Sequence, residues 1–124
     1  MKRAVFAIAV SLMLCTPVIA APGEMSVASF LAKADALRAK GPMALFSSDY
    51  KLLKQEGEAA GARYRERLLQ ERAAGKPSSC APKGTRPNNN QFIAYLRTYP
   101  EAVRPRTPMH EAMAGYFIKN HPCK

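Results

Sequence analysis

Beyond an initial apolar block, apolar residues recur at intervals of three and four, and no stretch alternates apolar with polar as a half-buried strand would. Val27, Phe30, Leu31, Ala34 and Leu37 form one such stripe and predict a helix over residues 27–40. Ser26 stands in the N-cap position, and Gly41 stands just past the end, where a left-handed residue is needed. Pro42 follows, and the short run Met43-Ala44-Leu45-Phe46 predicts a single buried turn wedged against the core. Ser47 or Ser48 then caps the longest helix, residues 49–74, which Gly75 and Pro77 end.

Within that long helix Tyr50, Leu53, Gly57, Ala60, Tyr64 and Leu68 advance by three or four and share a face. Gly57 and Gly61 each cost about 1 kcal/mol relative to Ala in a helix interior. Two arrangements account for them: another backbone packs closely against the small residues, or the helix breaks in two. Close packing is the expectation. Residues 76–90 are irregular, carrying Cys80, Pro82, Gly84 and Pro87. The Asn88–Asn90 run caps a short helix over 91–99 that buries Phe92, Ile93, Leu96 and Tyr99 and stops at Pro100. A last helix begins with Thr107 as cap and Pro108 at its first position. It carries the stripe Met109, Ala112, Met113, Tyr116 and Phe117. The fold class read from this pattern is all-α, a small domain of about four to five helices.

The initial block changes what counts as the domain. Lys2 and Arg3 precede an apolar run from Ala4 to Leu14, and Val18-Ile19-Ala20 offers a cleavage site. That is the layout of a signal peptide over residues 1–20, with the domain over 21–124 and a short flexible lead over 21–25. The run is too short for a permanent membrane anchor. Leu14 before Cys15 lacks the small residue that lipidation requires. The expected location is the periplasm or the exterior.

The 124-residue chain has a net charge of +10, of which the leader accounts for two. It has no tryptophan and a thin set of bulky aliphatics, so a covalent staple would help a domain of this size. Cys80 and Cys123 are the two cysteines left after export, and an exported pair is a disulfide by default. Closing 43 residues stabilises by on the order of 3–4 kcal/mol in the chain-entropy model.

Candidate chemistry adds little. A two-Cys, two-His zinc site from Cys80, Cys123, His110 and His121 is the alternative to the disulfide, but the spacing is poor and the compartment oxidises thiols. His110 and Glu111 are helix neighbours pointing about 100° apart, and no nucleophile stands in a triad context, so an enzyme is not expected. No metal or cofactor is expected. Arg63, Tyr64, Arg65 and Arg67 have the composition of a nucleic-acid patch, but Tyr64 belongs to the apolar stripe and export removes that partner.

The arrangement of the last third carries a resemblance. Cys80-Ala81-Pro82, a helix with Ala94-Tyr95-Leu96 followed by Tyr99-Pro100, and a final amphipathic helix before Pro122-Cys123 resemble the Tai/Rap family of type VI secretion immunity proteins. His121 stands where that family usually has an aromatic residue, and the first half lacks the family's further cysteine pair. The resemblance implies a small exported helical protein that binds and blocks peptidoglycan-cleaving amidase toxins without being an enzyme. The expected partner is a secreted toxin or another envelope protein. The expected contact surface is the stapled loop, with Lys83 and Arg86 as its positive tip. A second expectation, from charge alone, is an envelope-associated structural protein whose basic surface meets anionic peptidoglycan or lipid.

Overall fold

The computed structural model describes residues 21–124; the signal peptide expected over residues 1–20 lies outside the described residues. Four α-helices follow in order: α1 (Val27–Ala39), α2 (Ser48–Ala73), α3 (Asn89–Arg97) and α4 (Met109–Asn120). Short 3-10 segments at Gly41–Phe46 and Arg104–Arg106 lie between them. Among the described residues there is no strand, only an isolated antiparallel bridge between Ser26 and Pro108. The all-α expectation is met.

Local signals start and stop these helices. Ser26 Oγ accepts from Ser29 N at 3.1 Å, and Gly41 leaves α1 with φ +61°. Ser47 Oγ accepts from Asp49 N at 3.2 Å, and α2 then runs unbroken for 26 residues. Asn88 Oδ1 accepts from Asn90 N and Gln91 N at 2.9 and 3.3 Å, starting α3 two residues earlier than the spacing predicts.

α2 and α4 form the main packed pair, closed by Tyr64 stacked on Phe117 with ring centroids 4.2 Å apart. Val27, Phe30 and Leu31 from α1 and Phe92 and Leu96 from α3 complete the core. The Tyr64 hydroxyl meets the fully buried Ser79 Oγ at 2.5 Å, fixing the start of the irregular loop. One residue on, Cys80 N donates to His121 O at 2.8 Å and Cys80 is disulfide-bonded to Cys123, with Cα atoms 4.9 Å apart. The staple joins the end of α4 to the loop after α2, as the cysteines predict.

The lead, expected to be flexible, is hydrogen-bonded to both α2 and α4. Pro108, not Thr107, is the cap residue of α4, and no side chain caps that helix. Its first N–H groups go instead to the lead: Met109 N donates to Met25 O at 2.8 Å and His110 N to Gly23 O at 3.1 Å. The lead's own N–H groups go to Glu56, whose Oε2 accepts from Gly23 N at 2.8 Å and Met25 N at 3.3 Å. Glu56 is 6 % exposed and has taken the inward position on α2.

The expected close packing on Gly57 and Gly61 is also absent. A Cβ on Gly57 would meet nothing within 4 Å, and one on Gly61 only the tip of Arg65 at 3.3 Å. The glycines under close approach are Gly23, whose Cβ would stand 3.3 Å from Ala60 N, and Gly115, whose Cβ would stand 2.4 Å from the Tyr95 hydroxyl.

Candidate functional site

Leu37 is the last buried residue of α1, and α2 begins at Ser48. The connection between them, Lys40 to Ser47, contributes no residue to the buried core. The expected buried turn is therefore outside: Met43 is 69 % exposed, Leu45 60 % and Phe46 84 %. A 3-10 segment repeats every three residues, so Met43 and Phe46 stand on one side of it. Lys33 Nζ reaches Asp49 Oδ1 at 3.1 Å and ties the α1–α2 hairpin just behind.

A groove of about 760 Å³ runs between α1 and α2 from Leu37, Arg38 and Tyr50 toward the stapled loop; Met43, Leu45 and Phe46 do not line it. Phe30, Leu53, Phe92, Ile93, Met113 and Phe117 supply its apolar lining. Ala34, Gly57 and Gly61 add only small groups, which is why the groove is open. Along it stand Arg38 of α1, Lys54 and Arg65 of α2 and Arg86 of the loop, against one acid, Glu58. Among the described residues none of these four cations is in an ion pair. Other basic residues are used internally: Arg97 holds Asp35, Arg67 holds Glu71 and Arg63 holds Glu24.

Of the two residues expected at the loop tip, Arg86 joins the groove and Lys83 does not line it. Lys83 is exposed on a turn in which Thr85 N donates to Pro82 O at 3.1 Å and Gly84 takes φ +82°. Sequence reasoning missed Arg38, Lys54 and Arg65 as a set because they come from two helices with nothing in the chain to align them. The available signal was Gly57 and Gly61 on a face with Tyr50 and Leu53, read as contact where it means a gap.

The zinc alternative falls to the disulfide. Cys80 and Cys123 are bonded to each other, so they leave no thiolates for zinc, and no group of three or more His, Cys, Asp or Glu converges among the described residues. His110 Nε2 lies 3.5 Å from Glu24, while His121 packs on the Phe117 ring. Tyr64 of the basic tetrad is buried, so no aromatic is left there for a base to stack on.

Electrostatics point the same way. The hydrogen bond from Arg63 holds the Glu24 carboxyl below its usual range, and Arg97 does the same for Asp35. Hydrogen bonds from Ser78 and Arg67 bring Glu71 down to about 2. Burial, with Tyr99 beside it, pushes the Tyr95 hydroxyl above its usual range. These are fixed structural groups, and none stands poised to exchange a proton near neutrality. A second depression, of about 360 Å³ beside Tyr95, Tyr116 and Lys119, gathers one cation and no acid.

No helix among the described residues is long and apolar enough to cross a membrane. No family model, curated protein or solved structure matches this chain.

Proposed function

We propose that this protein is an exported, non-enzymatic protein-binding domain of the immunity type, which holds a secreted peptidoglycan amidase inactive. The observation that carries the binding role is the exposed trio Met43, Leu45 and Phe46 on the connection between α1 and α2, the two helices that line an apolar groove. Clustered large apolar side chains cost solubility and mark contact sites when they adjoin a concave surface. The leader and the staple support export, and the resemblance of the last third supplies the class of partner. The contact face is the 3-10 segment with the groove and Arg86; Lys83 adds charge from the adjoining loop tip.

The test uses the disulfide-intact protein as bait against an envelope fraction of its native host. An amidase whose activity is lost on adding the protein is the expected capture. Leu45→Ser with Phe46→Ser should abolish that inhibition while leaving circular dichroism unchanged. Undiminished inhibition by the folded double variant would remove this face from the interface. Lys83→Glu and Arg86→Glu, made separately, divide the loop tip from the groove rim.

A second reading rests on the four cations along the groove: a structural envelope protein that holds anionic peptidoglycan or lipid. Co-sedimentation with purified sacculi or anionic vesicles, lost in moderate salt, would favour it.

A further inference from the structure

We propose that the groove between α1 and α2 receives an amphipathic α-helix of the partner, apolar on the face it buries and flanked by Asp and Glu. The proposal rests on the protein-binding reading and names what that binding surface recognises. Shape is the first argument. From Tyr50 to Arg65 the groove follows α2 for fifteen residues, about 22 Å, or about four helical turns. A concavity that long matches a helix laid along it, read as apolar anchors at i, i+3, i+4 and i+7.

Floor chemistry is the second. Gly57 has open space above it and Gly61, one turn on, meets only the flexible end of Arg65 at 3.3 Å, so an incoming helix can approach the α2 backbone there once Arg65 gives way. The groove's lining combines aromatic and aliphatic side chains, which take an apolar stripe, with the charged Lys54, Glu58 and Arg65 of α2 beside the two glycines.

Charge is the third. Arg38, Lys54, Arg65 and Arg86 outnumber Glu58, and among the described residues none of the four is in an ion pair, although Arg38 lies near enough to Asp35 to help lower that carboxyl's pKa. A partner with carboxylates beside its apolar stripe would neutralise them. A second copy of this chain brings the same cations and is repelled. Residues 1–20 carry Lys2 and Arg3 and no acid, so they are not complementary either.

The experiment titrates ¹⁵N-labelled, disulfide-intact protein with a synthetic peptide of about five turns. It carries Leu at i, i+3, i+4 and i+7 and Glu at most other positions, and the control peptide has Lys in place of Glu. Shift changes should concentrate at Ala34, Gly57, Gly61 and Arg86, with a gain in peptide helicity and loss of affinity in salt. Gly57→Leu fills open space, so it should stay folded and bind the Glu peptide at least about tenfold more weakly. Gly61→Leu is the second variant and should behave alike. No shifts at millimolar peptide, equal binding of the Lys peptide, or unchanged affinity in both folded variants would overturn the proposal. So would phosphatidylglycerol vesicles, or self-association, competing for the groove in place of the peptide. An amidase that stays inhibited by the Gly57→Leu protein but escapes the Leu45→Ser, Phe46→Ser protein would leave the binding reading standing and remove the helix from the groove.

Discussion

The two flanks of α2 are built on opposite rules. On one, Glu56, Ala60, Tyr64 and Leu68 face the lead and α4, and the packing is tight enough that Gly23 lies against the α2 backbone. On the other, Leu53, Gly57 and Gly61 face α1 across a groove, and the connection between the two helices exposes three large apolar residues. The closed flank holds the buried carboxylate, the ring stack and, at its far end, the disulfide. The open flank has unspent apolar surface and unpaired cations. On the proposed reading one helix separates stability from recognition, and substitutions on its two sides should have different readouts: unfolding on one, binding on the other.

The largest test of this division removes the staple. Cys80→Ala with Cys123→Ala should lower the unfolding free energy by about 3–4 kcal/mol in chemical denaturation. Thiol titration of the unreduced, denatured parent should find no free thiol within residues 21–124. Two reactive thiols per chain would break the closed flank at its anchor. Next comes Glu56→Ala, which strands Gly23 N and Met25 N and should cost about 2–3 kcal/mol. Its comparison is Glu58→Ala, two residues away on the groove side, expected within about 0.5 kcal/mol of the parent. Equal losses in the two variants would mean that the flanks are not energetically distinct.

What the chain showed in advance divides along the same line. Caps at Ser26, Ser47 and Asn88, the stop at Gly41 and the cysteine pair are local or compositional signals, so helix positions and the staple were legible. Glu56 was not. It falls three residues after Leu53 and four before Ala60, on the apolar stripe, but a carboxylate there reads as solvent-facing until the lead's N–H groups are known to meet it. The lead itself looked unattached because its partners, Glu56 and the start of α4, are more than thirty residues away. The turn at Met43–Phe46 read as core because apolar composition implies burial, whereas a hairpin connection has nothing beyond it to pack on. Lys83 and Arg86 share one loop and one exposed residue type, which the chain alone does not tell apart, and only Arg86 lines the groove with the cations from the helices.

The glycines sharpen the contrast at smaller amplitude. Gly115→Ala puts a methyl group against the Tyr95 hydroxyl and should destabilise by about 1–3 kcal/mol unless Tyr95 swings out. Gly57→Ala meets no neighbour and recovers helix propensity, so it should stabilise by about 1 kcal/mol. A lower melting temperature for Gly57→Ala would show that the groove closes in solution and that its open floor is not the resting state.

The smallest effect is a pH dependence at the C-terminal end of α2. Glu71 accepts from Ser78 Oγ at 2.5 Å, Ser78 N at 2.9 Å and Arg67 Nε at 2.8 Å, binding the turn after α2 back onto the helix. Its carboxyl titrates at about 2, against an ordinary value of 4.5. The folded state therefore favours the ionised form. The stabilisation is complete above about pH 5 and is lost as pH falls from 4.5 toward 2. Glu71→Gln should cost about 1 kcal/mol near neutrality, since the ion pair with Arg67 is solvated and the Ser78 bonds are replaced in part by the amide. The difference between parent and variant should then narrow through that acidic window, read from denaturation midpoints at successive pH values. A gap that stays constant down to pH 2 would mean that the Ser78 bonds do not depend on the charge. The turn would then be held by Tyr64, Ser79 and the disulfide alone.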